Sequence, residues 1–299
     1  MVVTPGPEPS RHVVLTVSRR TDMVRWYPED LVGILGRRYP PARVHSIVVM
    51  TKFPEAVLTR PLAPVLAGYD QVVVQVTVTG LGGTDLEPRV PEPEVALSRL
   101  EPLIDFTGRP ERVVLRFDPV LHWRPAGDGR RGARGSLLSN LPLFAETVRK
   151  ARAAGVTVVK TSLVTPYAKV VRRFKGLGLE LVSLSGRERE DVLSTLEAEA
   201  AKAGVYLEFC CEPTRSRSAC VDADLLTRLH PRGLPARPDK AAGQRPHCGC
   251  AHAVDLAWYS SHPCPSGCLY CYANPTGTTR SPVRRNSPPA SDRVRGRPR

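Results

Sequence analysis

Short apolar runs alternate with amphipathic segments along most of this chain. Valine, isoleucine and leucine dominate six runs that predict strands, at 12–18, 44–51, 69–80, 112–120, 156–164 and 205–210. The intervening segments predict helices, at 28–38, 54–68 (broken), 90–108, 137–155, 166–178 and 192–204. Continuous apolar strands are typical of sheets buried on both faces, and their alternation with helices predicts βαβ units and a parallel sheet.

Six such units predict an α/β fold, either a TIM-like barrel or a partial (β/α)6 barrel, with a flat doubly wound sheet as the alternative. No G-x-G-x-x-G follows the first strand and no P-loop sequence occurs, so two common nucleotide-binding fingerprints are missing. The predicted organisation is a flexible N-terminus (1–11), a barrel-like domain (12–210), a cysteine-rich segment (211–274) and a disordered tail (275–299).

The carboxyl ends of the predicted strands are unusually polar. In parallel barrels the chemistry is found at these ends. One such residue is explained by a salt bridge or a cap, but recurrence in five or six strands favours a polar pocket. The candidates for catalysis, or for holding a substrate, are Arg19, Asp22, Lys52, Arg116 and Asp118, and Lys160, Ser162 and Glu208 follow the same pattern.

The net charge of +14 is partly local, because residues 275–299 carry seven arginines and one aspartate. This tail is interpreted as a solvated segment, with a nucleic-acid-binding arm as the alternative. No apolar run approaches the roughly 20 residues that cross a bilayer, and the first residues lack a signal-peptide pattern. The sequence therefore predicts a cytoplasmic protein without membrane contact, in which the thiols stay reduced.

All eight cysteines lie after residue 209, and three of them, Cys264, Cys268 and Cys271, have the spacing C-x3-C-x2-C. Three thiolates can hold three corners of a [4Fe–4S] cluster and leave one iron open. S-adenosylmethionine (SAM) can chelate that iron, and an electron from the reduced cluster then breaks a carbon–sulfur bond. A structural zinc site is the alternative, with Cys248 or Cys250 as a fourth ligand.

The other cysteines allow three interpretations. Cys220, Cys248 and Cys250 could bind an auxiliary iron–sulfur cluster, completed by Cys210 or Cys211. One of them could instead close the first cluster, or all could be buried thiols. Because side chains alternate along a strand, at most one of Cys210 and Cys211 is expected to face the pocket.

Several segments in this order, among them TVSRRTD, VMTKFPE, LRFDPV and CPSGCLYCYANP, resemble the bacterial DUF1848 family over about residues 12–275. The function of that family is not established, and its C-terminal cysteines are similar to the cluster motif of radical SAM proteins. The resemblance implies an enzyme that binds SAM and an unidentified substrate and takes electrons from a donor such as a flavodoxin or ferredoxin. The ending YCYAN also resembles the spore photoproduct lyase-like branch, which acts on DNA.

Radical SAM enzymes use a glycine-rich strand end to approach SAM. By this resemblance, Gly80, Gly82, Gly83 and Glu87 are candidates for binding SAM, with a plain glycine turn as the alternative. In most of these enzymes the cysteine motif follows the first strand, but here it follows the sixth. A nearly closed barrel would bring its two ends together, so the late cysteine segment is expected to cover the same face.

Overall fold

A computed structural model describes residues 12–126, 135–240, 243–258 and 260–273. The predicted flexible N-terminus and disordered tail lie outside these ranges. The strands are β1 (Val13–Val17), β2 (Val44–Thr51), β3 (Val72–Thr77), β4 (Val113–Val120), β5 (His122–Pro125), β6 (Leu138–Ser139), β7 (Val158–Leu163), β8 (Leu179–Leu181), β9 (Tyr206–Phe209) and β10 (Val254–Asp255). The helices are α1 (Met23–Trp26), α2 (Pro28–Arg38), α3 (Pro54–Leu58), α4 (Leu62–Leu66), α5 (Pro93–Leu97), α6 (Leu100–Thr107), α7 (Phe144–Ala153), α8 (Ala168–Gly176), α9 (Gly186–Ala203) and α10 (Ala223–Leu229).

Seven strands form one parallel sheet in the order β10-β1-β2-β3-β4-β7-β9. From β1 to β9 this order follows the chain without the reversal that defines a doubly wound sheet. The α/β class and the parallel sheet are therefore confirmed. Within the described ranges the sheet is open, with β9 and β10 as its edges, so closure into a TIM-like barrel is not confirmed.

The two faces of the sheet are covered by different parts of the chain. Alternate strand residues such as Leu15, Ile47 and Val74 pack in the main core with α2, α4, α6, α7 and α9. The opposite face, with residues such as Val14 and Val48, packs against Val221, Leu226, Ala236 and Cys250 from the C-terminal part of the chain. The two-residue period of the strands explains this division, because successive side chains point to opposite faces.

The structure also contains elements that the apolar pattern does not predict. The predicted 90–108 helix is divided into α5 and α6, whereas the predicted break in 54–68 is confirmed by α3 and α4. Strands β5, β6 and β8 form a small antiparallel sheet that was not predicted. These strands have two to four residues, which is too short for a recognisable alternation. Strand β6 occupies the start of the predicted 137–155 helix, which begins only at Phe144 as α7. None of the helices in the described ranges has the length and apolarity of a membrane span.

Candidate functional site

Strand β10 delivers the cysteine segment to the carboxyl edge of the sheet. It pairs in parallel with β1 through Leu15–Val254 and Thr16–Asp255. The chain that follows therefore emerges beside the carboxyl end of β1, where it forms the segment 260–273, called here the cysteine loop. The cysteine loop thus covers this edge, as expected. It is brought there by an added parallel strand, since the sheet of the described residues is not closed into a barrel.

The cysteine loop is anchored on one side by the segment that follows β1. The indole nitrogen of Trp26 donates to Ser266 Oγ at 2.9 Å, and the Tyr27 hydroxyl donates to the Pro263 carbonyl at 2.7 Å. The Tyr27 ring also meets the His262 ring edge-on, at 4.9 Å between centroids. These contacts hold the first part of the loop, which contains Cys264, against α1.

Arg173 of α8 holds the other end of the loop. Its guanidinium donates to the carbonyl oxygens of Leu269 at 2.9 Å and Ala273 at 3.4 Å, and also to that of Cys271. One side chain thus satisfies three backbone acceptors around the last cysteine. The loop is therefore fixed both to α1 and to α8.

A buried polar network ties the loop to β2 and to the segment after β3. Glu87, only 1% exposed, accepts from Lys52 Nζ at 2.9 Å and from Thr79 Oγ1 at 2.5 Å. The Tyr270 hydroxyl donates to the same carboxylate oxygen. Burial opposes the charge on Lys52, but Glu87 and the neighbouring Cys268 thiol outweigh it, so the pKa of Lys52 is raised. Glu87, predicted from the resemblance as a SAM contact, is here the shared acceptor of three side chains.

Asp22 connects the segment after β1 to the end of β2. Its carboxylate accepts from Thr51 Oγ1 at 2.8 Å and from the backbone nitrogen of Lys52 at 2.9 Å. Burial raises the pKa of Asp22 to about 6, and these hydrogen bonds partly oppose that rise. The described contacts of Asp22 position Lys52.

A row of charged side chains crosses the sheet from β4 to β9. Arg116, Lys160 and Glu208 are register partners on adjacent strands, so they share one face. Arg116 pairs with Asp118 and Lys160 pairs with Glu208, while Ser162 donates to Asp118. Burial opposes ionisation of Asp118, but the Arg116 guanidinium lowers the pKa of that carboxyl. The predicted polar strand ends therefore meet as a paired, partly buried array.

Five further thiols lie next to this array. Cys210 Sγ is 3.8 Å from Cys211 Sγ, and Cys250 Sγ accepts from the backbone nitrogen of Cys220 at 3.1 Å. Strand β9 ends at Phe209, and Cys211 has a left-handed φ of 62°, so strand alternation does not apply to this pair. The expectation that at most one of Cys210 and Cys211 faces the pocket therefore loses its premise and stays a prediction.

Cationic groups face these thiols. Arg245 donates to Cys210 Sγ at 3.2 Å. Burial opposes the charge of Arg19, yet the neighbouring Cys250 and Cys220 raise the pKa of its guanidinium. A hydrogen bond with the Cys250 thiol lowers the pKa of Cys248 to about 7. The predicted catalytic residue Arg19 therefore lies near Cys220 and Cys250, and its backbone carbonyl accepts from the Tyr272 hydroxyl of the cysteine loop.

The three glycines predicted to approach SAM have tight packing partners. A Cβ on Gly82 would lie 1.9 Å from the Pro91 carbonyl oxygen, and one on Gly80 would lie 2.5 Å from Leu143 Cδ1. Gly80 and Gly83 both have φ of +80°, a conformation that favours glycine. The fold alone thus accounts for these residues, and their contact with SAM stays a prediction.

The cysteine loop offers three thiol groups of the type that bind an iron–sulfur cluster. Cys264, Cys268 and Cys271 are free, and Cys268 is buried beside the Lys52 ammonium. Gly267, with φ of +72°, turns the chain between the first two cysteines. In the described residues, no three His, Cys, Asp or Glu side chains form a group for a single metal ion. A cubane cluster binds each cysteine at a different iron, so its ligands are more widely separated than those of one ion.

A cationic cavity of about 510 Å³ opens on the helix side of the same region. Arg89 lines this cavity and also donates to the Pro265 carbonyl of the cysteine loop at 3.1 Å. The other charged residues in its lining are Arg25, Arg60, Arg99 and Glu55. The cavity is therefore positive and borders the cysteine loop.

The contacts that anchor the cysteine loop were not predicted from sequence. Trp26, Tyr27 and Arg173 are separated from their partners by 96 to 240 positions. Tryptophan and arginine in short amphipathic helices have many other uses, and the chain carries no local signal that marks them as anchors.

The fold and site define an α/β protein with an open parallel sheet, whose cysteine-rich C-terminal part covers one face and the carboxyl edge. A family model, "Domain of unknown function (DUF1848)", matches residues 36–273. The chain belongs to the DUF1848 family.

Solved structures show only remote similarity. Streptococcus suis SuiB has a TM-score of 0.34 and 10% identity, over 68% of this chain and 50% of that protein. A beta-arabinopyranosidase has a TM-score of 0.26 and 12% identity, over 70% of this chain and 24% of that protein. The carboxyl transferase domain of Rhizobium etli pyruvate carboxylase with 3-hydroxypyruvate has a TM-score of 0.23 and 14% identity, over 67% of this chain and 40% of that protein. This chain spans half or less of each of these structures, and no curated protein matches it.

Proposed function

We propose that this protein is a radical SAM-type enzyme in which Cys264, Cys268 and Cys271 hold a [4Fe–4S] cluster with one open iron. The observation that supports this most is the position of these three thiols, held by α1 and α8 over the carboxyl edge of a parallel sheet. When bound, the cluster and SAM supply reductive cleavage of a carbon–sulfur bond. In this proposal the open sheet acts as a partial (β/α)6 barrel with its mouth at that edge.

The residues around the loop have distinct roles in this proposal. The Lys52 ammonium offsets the negative charge of the thiolates, and Glu87 holds Lys52 and Tyr270 in place. Arg19 binds the carboxylate of SAM or of the substrate, since a guanidinium suits carboxylate groups. Arg116 and Asp118 present a fixed pair of charges to the substrate from the neighbouring strands.

The cationic cavity gives this enzyme a docking surface for its electron donor. Four arginines against one glutamate line it, and Arg89 connects it to the cysteine loop. A flavodoxin or ferredoxin with an acidic surface is complementary to such a face, and charge complementarity mainly speeds association. Charge reversal at Arg89 and Arg60 should slow reduction by such a donor at low salt, while reduction by dithionite should be unchanged.

Electron paramagnetic resonance of the anaerobically reconstituted, reduced protein, with and without SAM, tests the proposed function. A [4Fe–4S] signal that changes when SAM is added supports an open iron. Cys268→Ala should abolish this SAM-responsive signal and SAM cleavage together, whereas the control Cys211→Ser should keep both. A signal indifferent to SAM, or zinc in the loop, would overturn the proposal and favour a non-radical metalloprotein with a ligand-binding mouth.

A further inference from the structure

The five cysteines outside the cysteine loop come from three separate segments, two of which pack on the sheet face that Val14 and Val48 line. Cys210 and Cys211 follow β9, Cys220 precedes α10, and Cys248 and Cys250 precede β10. Burial raises the pKa of Cys210, and its neighbour Cys220 raises it further. The backbone nitrogen of Cys220 donates to Cys250 Sγ at 3.1 Å, which joins two of the three segments directly.

Backbone hydrogen bonds build the site by holding these segments together. Ser218 donates from its nitrogen to the Phe209 carbonyl at 3.1 Å and accepts from Gly249 at 3.2 Å. Ala251 donates to the Val221 carbonyl at 2.8 Å. The segment that carries Cys220 therefore lies between the end of β9 and the C-G-C turn.

Gly249 shows how closely the C-G-C turn approaches its neighbour. A Cβ at this position would lie 2.5 Å from the Ser218 carbonyl oxygen, so any side chain would push Cys248 and Cys250 away from Cys220. Arg217 donates to the Cys248 carbonyl and Gln244 donates to the Cys250 carbonyl, both at 2.8 Å. These two side chains fix the backbone on both sides of the glycine through its carbonyl groups and do not contact either thiol.

The cysteine segments reach the site from different strands of the sheet. The backbone nitrogen of Cys210 donates to the Thr161 carbonyl of β7 at 2.8 Å, and the Cys220 carbonyl accepts from the Gln75 side chain of β3 at 2.6 Å. Four thiolates are the ligand set that a closed [4Fe–4S] cluster takes, one at each iron. The guanidinium groups of Arg116, Arg19 and Arg245 lie near these thiols and supply positive charge. The carboxylate of Asp118 lies near Cys210 and supplies negative charge.

We propose that Cys210, Cys220, Cys248 and Cys250 bind a second iron–sulfur cluster of the [4Fe–4S] type, separate from the site in the cysteine loop. Four protein thiolates leave no open iron, so this cluster carries electrons and does not bind SAM. Cys211, with its left-handed backbone, is outside the ligand set. The inference stands whether or not the cysteine loop binds its own cluster.

Iron and acid-labile sulfide per chain, measured on the anaerobically reconstituted full-length protein, test this assignment. We expect about eight irons in the wild type, since each cluster holds about four. The Cys220→Ala/Cys250→Ala variant should retain about four irons and the SAM-responsive signal. The triple variant Cys264→Ala/Cys268→Ala/Cys271→Ala should retain about four irons without that signal, and Cys211→Ser should retain all of the iron.

Other outcomes have distinct meanings. About four irons in the wild type, all lost in the triple variant, or zinc at these cysteines, would overturn the second cluster. About four irons in the wild type, all lost in the Cys220→Ala/Cys250→Ala variant, would uphold it while the proposed function fails. If that variant does not fold, the wild-type protein still decides. Two reduced cluster signals, only one of which responds to SAM, support the assignment, and a single signal that responds to SAM opposes it.

Discussion

The ammonium of Lys52 lies 2.9 Å from the carboxylate of Glu87, in a region where Glu87 is almost fully shielded from water. Lys52 directly follows β2, and Glu87 lies in the loop between the adjacent strand β3 and α5, where Thr79 also donates to its carboxylate. Because Tyr270 donates to the same carboxylate, this pair connects the sheet to the cysteine loop.

Removal of one partner of this pair should lower the free energy of unfolding more than removal of both partners. Lys52→Met leaves the Glu87 charge buried without its counterion, and we expect the free energy of unfolding to fall by about 3 kcal/mol. The double variant Lys52→Met/Glu87→Gln should recover most of that loss. Urea unfolding of the two single variants and the double variant measures the coupling, and strictly additive losses would contradict it.

Asp22 should make stability depend on pH between about 4 and 6. Its pKa is raised from 3.8 to about 6, so the folded state binds more protons than the unfolded state in this window. The stabilisation is present at low pH and is lost as pH rises through the folded pKa, by about 3 kcal/mol from this group. Urea unfolding from pH 4 to 7 should show this fall in the wild type and not in Asp22→Asn.

The exposed Asp85 provides the matched control for Asp22. Asp85→Asn should follow the wild-type pH profile throughout. Parallel profiles for the wild type and Asp22→Asn would show that Asp22 is not the group responsible.

Loss of Arg173 should loosen the cysteine loop without unfolding the sheet. Its hydrogen bonds to three loop carbonyls involve a charged donor, each worth about 1.5–3 kcal/mol. In Arg173→Met, amide hydrogen exchange in residues 264–273 should accelerate at least about tenfold. Arg172→Met, at the adjacent exposed position of α8, should leave that exchange unchanged, and equal effects of both would refute the anchoring role.

Gly82 should tolerate no side chain. Gly82→Ala places a methyl group 1.9 Å from the Pro91 carbonyl, and we expect a loss of at least about 2 kcal/mol in thermal or urea unfolding. At the exposed Gly36 in α2, no atom lies within 4 Å of the position that an added methyl group would occupy, so Gly36→Ala should gain about 0.5–1 kcal/mol. A stable Gly82→Ala protein that had lost only SAM binding would instead favour a role in the cofactor site.

Much of the α/β framework was predictable from the sequence. Strand β2 and helix α2 lie at the predicted residues, because each is a strongly apolar or amphipathic run with a clear start. The polar strand ends were also predictable as a group, because parallel strands place their carboxyl ends at one edge. Arg116, Lys160 and Glu208 meet there by register alone.

Other features depended on contacts between distant parts of the chain. Strand β10 has two residues, too few to show a pattern, yet its pairing with β1 decides where the cysteine loop lies. The meeting of Cys210 with the segments of Cys220 and Cys250 depends on a close approach at Gly249 that spacing alone does not reveal. The sequence by itself therefore determined which elements form and which residue types carry chemistry, through local periodicity and composition. Only the tertiary structure decided which thiols and charges become neighbours, because long-range packing and strand register set those distances.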